Sequence, residues 1–178
     1  MSDIQIRPLT RADLAAHRAL RLEGLRLAPE AFSAAYEDEL LRDDEDFARH
    51  IPDAPPSAIF GAFQGEALVA MTGFLVLAGQ KQRHKAMIWG VYVSPAGRGQ
   101  GLAKRLLQAA IDRARTVEGL ERIQLGVGVD NAPARALYGA AGFEVYGVER
   151  HALRLGPGRY VDEELRALEL RALSVSPA

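Results

Sequence analysis

Residues Arg98-Gly99-Gln100-Gly101-Leu102-Ala103-Lys104 join an apolar strand, Val91-Tyr92-Val93, to an amphipathic helix whose opening turn is nearly bare of side chains. A helix N-terminus carries unpaired backbone N–H groups and a partial positive charge. Glycines there leave those amides open to a phosphate or pyrophosphate. Two familiar nucleotide loops fail on spacing. A P-loop follows its second glycine with Lys and Ser/Thr, whereas Gly101 is followed by Leu102 and Ala103. A dinucleotide fingerprint needs Gly-x-Gly-x-x-Gly, but the last position falls on Leu102 counted from Gly97 and on Lys104 counted from Gly99. What is left is a backbone cradle for some other phosphate-bearing small molecule.

Other residue groups could do chemistry beside it. Arg122 to Val129 alternates, with Ile123, Leu125, Val127 and Val129 on one face and Gln124, Gly126 and Gly128 on the other. A strand face stripped to glycine leaves room for something to lie against it. Glu37-Asp38-Glu39 is a solvated acidic face or the border of a binding site. His17, His50 and His151 lack metal-ligand spacing, His84 sits in a basic turn, and the chain has no cysteine, so no metal is expected.

The elements that must position these residues follow from periodicity. Ile4 and Ile6 mark a short strand, and Thr10 with Asp13 starts a helix that runs towards Gly24 or Ala28. Residues 29–41 read as a loop or irregular helix, and Asp43 opens a short helix ended by Pro52, Pro55 and Pro56. Ala58–Phe63 and Ala67–Leu77 form a hairpin around Gln64-Gly65-Glu66. The strand Ala86–Val93 carries Ile88 and Tyr92 on one face and Met87, Trp89, Val91 and Val93 on the other. Gly90 within it marks a bulge or a close approach. Helix 101–115 presents Leu102, Leu106, Leu107, Ala110, Ile111 and Ala114 on one face. Pro133 starts another helix, which Gly142 stops, and Phe143 to Leu170 reads as a long hairpin around Gly156-Pro157-Gly158.

With 178 residues, 48% hydrophobic and 25% charged, the chain is sized for one globular domain, expected over 1–178 with a core from residue 4 to about 171. A net charge of −1 advertises neither nucleic acid nor an anionic membrane as partner. The first residues lack an apolar signal core, no run approaches membrane-spanning length, and the absence of cysteine suits a reducing compartment. A cytoplasmic location is therefore expected.

The 98–103 turn fits Arg/Gln-x-x-Gly-x-Gly/Ala at every position, between Val91-Tyr92-Val93-Ser94-Pro95 and Leu106-Leu107. Further on stand Asn131, Ala134, Leu137-Tyr138 and Gly142-Phe143, spaced as Asn-x-x-Ala-x-x-Leu-Tyr-x-x-x-Gly-Phe. In both motifs, and in element order along nearly its whole length, the chain resembles the GNAT (Gcn5-related N-acetyltransferase) family. The resemblance implies an α/β (α+β) fold: a mixed, mostly antiparallel sheet, splayed at its central strands and flanked by about four helices. It implies acetyl-CoA as co-substrate. The amides of Arg98, Gly99, Gly101, Ala103 and Lys104, in the loop that also holds Gln100 and Leu102, would bind the pyrophosphate. The pantetheine arm would pair near Val91 and Val93, and the Val91 N–H would be the oxyanion donor. Tyr138 would be the acid that helps the thiolate leave, and Asn131 would contact the coenzyme or order the loop beside it. Each also has a plainer reading: tight-turn glycines, a core tyrosine, and an N-cap ahead of Pro133.

The acceptor is less determined. Many family members carry a glutamate on the strand before the pyrophosphate loop, as base for an ammonium whose pKa is about 10.4. Here that segment is Ile88-Trp89-Gly90, with no titratable group. Glu37, Glu39, Asp130, His84 or an ordered water chain remain as bases. The expected acceptor is a primary amine of a small molecule, such as an amino acid or polyamine-like metabolite, attacking directly in a ternary complex. The acidic loop favours a cationic acceptor, Arg83 or Arg159 a carboxylated one. The alternatives are a protein N-terminal or lysine acetyltransferase and a non-catalytic acetyl-CoA-binding regulatory module. The chain is expected to act as a monomer or homodimer.

Overall fold

A computed structural model describes residues 4–170. Its elements run β1 (Ile4–Pro8), α1 (Leu14–Leu27), α2 (Tyr36–Leu40), α3 (Asp44–Ala48), β2 (Ala58–Gln64), β3 (Ala67–Val76), β4 (Lys85–Val93), α4 (Leu102–Arg115), β5 (Arg122–Gly128), α5 (Ala132–Ala140), β6 (Glu144–Gly156) and β7 (Arg159–Glu169). Short 3-10 turns lie at Arg11–Asp13, Pro29–Ala31 and Pro95–Gly97. The fifth helix, beyond the expected four, is the single turn α2 inside the segment that sequence leaves irregular.

Local chemistry accounts for the helix starts. The Thr10 N–H donates to Asp13 at 2.8 Å, the Asp46 N–H to Asp43 at 2.8 Å, and the Ala134 N–H to Asn131 at 3.1 Å. On α4 the buried positions are Leu102, Leu106, Leu107, Ala110, Ile111 and Ala114, the stripe that its periodicity predicts.

The strands form one seven-stranded sheet in the order β1-β2-β3-β4-β5-β7-β6, with β4–β5 the one parallel pair among antiparallel ones. That parallel pairing extends only from Lys85↔Arg122 to Met87↔Gln124. From Ile88 onward β4 has no partner in β5, while β5 stays paired to β7 up to Gly128↔Glu163. The sheet is therefore split at its centre. Backbone groups along the split edges are left for a guest to satisfy.

Apolar side chains cover both faces. Leu106, Leu107, Ile111, Ile123, Leu125 and Val127 pack with Tyr138 and Phe143 on the face under α4 and α5. Leu20, Leu25, Phe32, Ile51, Ile59 and Met71 pack on the face under α1. The predicted faces of β4 need correcting. Strict alternation puts Ile88 and Tyr92 together, but Ile88 packs under α4 and Tyr92 under α1. Gly73 pairs with Trp89 and Met71 with Tyr92, so Thr72 alone opposes Gly90 and Val91. This is a bulge, with Gly90 at φ +60°, and it exchanges the faces of every residue after it. Among the described residues, no helix is long and apolar enough to cross a membrane.

Candidate active site

The bulge and the glycine turn open onto one cleft of about 480 Å³ that fills the split between β4 and β5. At one end lies the head of α4. The N–H groups of Leu102, Ala103 and Lys104 precede the first helical hydrogen bond, Arg105 N–H to the Gly101 carbonyl at 3.1 Å. No side chain caps this helix. Gly99 and Gly101 adopt φ +74° and +67°, where glycine is strongly preferred, and a Cβ built on either would meet no protein atom within 4 Å. The cradle is thus empty of side chains, with Arg98 and Lys104 on the cleft wall as cations.

Val91, Val93, Arg98, Gly99, Gly101, Leu102, Ala103, Lys104, Asn131 and Tyr138 all line this cleft. Leu102 contributes backbone, because its side chain is in the core. Gln100 turns away and donates its amide to the Ala96 carbonyl at 3.2 Å. Asn131 is the N-cap of α5 and lines the cleft as well. Tyr138 is both core and wall. It is 6% exposed and packs edge-on to Phe143, and burial pushes its phenol up to about 12.

The base candidates read from sequence are elsewhere. Glu37 and Asp130 are exposed and do not line the cleft. His84 precedes β4 at the closed end of the split, where its carbonyl accepts from the N–H groups of Glu121 and Arg122. Glu39 is buried in a two-pronged ion pair with Arg21, at 2.9 and 2.8 Å. Burial alone would raise this carboxyl, but the Arg21 hydrogen bonds and charge outweigh it and hold Glu39 low. A carboxylate so engaged is a structural anchor between α1 and α2.

The structure instead brings Glu163 of β7 to the cleft, the one carboxylate among the described lining residues. Its Oε2 would lie 2.8 Å from a Cβ on Gly126, so it reaches the cleft only because Gly126 has no side chain. Burial, then the charge of Glu149, raises its carboxyl above the ordinary value. The bare glycine face was visible in the sequence. The partner that fills it was not, since β7 comes to lie beside β5 through long-range pairing. Trp89, Gly90 and Tyr92 also line the cleft. The Trp89 indole rests over Gly73, where a Cβ would stand only 2.2 Å from it.

The profile of the Acetyltransferase (GNAT) family matches residues 22–143. The chain is 33% identical over 95 residues to the L-amino acid N-acetyltransferase AaaT of Escherichia coli (strain K12), covering 52% of this chain and 57% of that protein. It is also 33% identical over 102 residues to the N-alpha-acetyltransferase RimI of Mycobacterium tuberculosis (strain ATCC 25618 / H37Rv), covering 57% and 61%. The chain thus spans about three-fifths of the length of these curated relatives. In fold it is similar to yncA of Salmonella typhimurium, solved with its cofactor acetyl-CoA, with a TM-score of 0.81 at 22% identity over 98% of both chains. With the split sheet, the bare turn at the head of α4 and a family profile spanning both, the chain belongs to the acetyltransferase (GNAT) family.

Proposed function

We propose that this chain is an acetyl-CoA-dependent N-acetyltransferase acting on a primary amine of a small molecule. The observation that carries the reading is one cleft in which free helix-start amides, a split sheet and a protonated phenol meet. Its volume is that of a small-molecule site. The residues present fit the coenzyme. The turn at Gly99 and Gly101 has the space, backbone donors and cations that a pyrophosphate needs, and the edge of β4 past Met87 lacks a strand partner in β5.

When bound, acetyl-CoA supplies an acyl thioester. The residues of the chain do the rest. Amides of 99–104 hold the phosphates, and the β4 edge at Val91 and Val93 orients the arm. The Val91 N–H donates to the carbonyl oxygen as charge develops there. Tyr138, whose phenol burial keeps protonated, donates to the departing sulfur. In the exchange the amine nitrogen gains the acetyl carbon and sheds protons, while the thiolate takes one up.

A small acceptor is supported by the turn at Pro29–Ala31, which borders the cleft. There Ala28 and Ala31 line the wall, and the Glu30 carbonyl lies 3.9 Å from the Cβ position of Gly128. The similarity to an L-amino acid N-acetyltransferase points the same way, whereas the similarity to RimI favours a protein N-terminus. A thiol-release screen with acetyl-CoA over amino acids, polyamines, aminoglycosides and short peptides tests the proposal. Release with a free small amine is expected. Release with peptides alone would make the chain a protein acetyltransferase, and coenzyme binding without release would make it a binding module.

A further inference from the structure

Resting on the acetyltransferase reading, we infer that Glu163 is the general base that takes the proton from the incoming ammonium. The sheet has two faces at the split, and the groups lining it divide between them. Leu125 and Val127 of β5 face α4 and α5, in the core that contains Tyr138. Gly126 and Gly128 therefore face the other way, and there they meet Glu163, Val161 and the turn at Pro29–Ala31. Trp89, packed with the α1 core, is on this second face too. Tyr138 and Glu163 thus approach one cleft from opposite faces. That is the disposition a transfer needs when one group protonates the leaving atom and another deprotonates the attacking one.

The step itself is simple. An N–H bond of the ammonium breaks, an O–H bond forms on Glu163, and the electron pair stays on nitrogen, ready for the acyl carbon. The proton later passes to solvent.

The surroundings of Glu163 suit the role. From β6, Glu149 stands directly across from it. From β5 only glycines face it, and from the 29–31 turn Glu30 is the charged residue nearby, exposed to solvent. No cation pairs with it by salt bridge among the described residues, unlike Glu164 next to it, which is held by Arg135 and Arg166. Burial and the like charge of Glu149 both keep its proton affinity high, which a base for an alkylammonium requires.

The test uses Glu163→Gln and Glu149→Gln in the full chain, with the acceptor found by the screen above. For Glu163→Gln, kcat at pH 7 should fall about 100-fold while acetyl-CoA affinity by calorimetry stays within a few-fold. The acid limb of the wild-type kcat/KM profile should disappear. For Glu149→Gln that limb should move to lower pH. Independently of turnover, a carboxyl 13C NMR titration of the free protein should show one glutamate titrating above the ordinary range, lost in Glu163→Gln and lowered in Glu149→Gln. A normal Glu163 titration, an unchanged kcat, or a rise in KM alone would overturn the assignment. Absence of wild-type turnover with any amine would instead remove the acetyltransferase reading beneath it.

Discussion

Tyr138 is a core residue to which the proposed function adds a chemical role. Its ring fills the core beside Phe143, and its face on the cleft leaves a phenol that burial keeps protonated. Tyr138→Phe keeps the ring and removes the proton. We expect kcat to fall by about 100-fold, with the coenzyme dissociation constant nearly unchanged, as measured by steady-state kinetics beside calorimetry. Equal loss of coenzyme affinity would assign the phenol to binding. At this scale the sequence was legible where local geometry rests on backbone, as at the open, positive-φ Gly99 and Gly101, because glycine spacing reports backbone directly. It was not legible at Glu163. Within Asp162-Glu163-Glu164 nothing local separates a carboxylate over the cleft from one locked between arginines, and only the pairing of β7 with β5 and β6 makes the difference.

Two elements carry most of the positioning. In β4 the bulge at Gly90 sends Val91 and Val93 to the α4 face and leaves Tyr92 with Trp89 on the α1 face. Gly90→Ala would have to hold φ +60° with a side chain, at a cost of about 1–2 kcal/mol. The Cβ itself meets only Arg21 Nη1 at 3.5 Å, so strain and not collision should dominate. Urea denaturation should show that loss, and coenzyme affinity should weaken as Val91 and Val93 shift. The helix α5, which Asn131 caps and which carries Tyr138, is tied to β7 through Glu164, which meets Arg135 at 2.6 Å and Arg166 at 2.5 Å. Glu164→Ala leaves Arg166 nearly buried without a counter-charge, and should cost about 3 kcal/mol in a denaturant melt. The long helices α1 and α4 were readable from sequence because each buries one stripe. The alternation of β4 misled because a single extra residue reverses faces, and Gly90 hinted at the bulge without fixing its register.

Across the whole molecule, two apolar cores flank a sheet that is closed at Met87↔Gln124 and open beyond it. The core under α1 hides His17, whose two ring nitrogens lack hydrogen-bond partners among the described residues. Burial first, then the charges of His50 and Arg21, push its imidazole down to about 4. A depressed native value means that the unfolded chain binds the proton first. His17 therefore contributes stability above its ordinary 6.5, and this is lost as pH falls towards about 4. The loss amounts to roughly 3 kcal/mol. Melts at pH 7 and pH 4.5 should show it, and His17→Met should flatten the difference.

The head of α4, opening into the split sheet, is the proposed acetyl-CoA site. The most direct measurement is calorimetric titration of acetyl-CoA into the wild-type chain and into Gly101→Glu, which places a strained, negatively charged side chain where the phosphates would sit. One-site binding to the wild type and none to the folded variant is the predicted result. No binding to the wild type, or equal affinity in the variant, would contradict it.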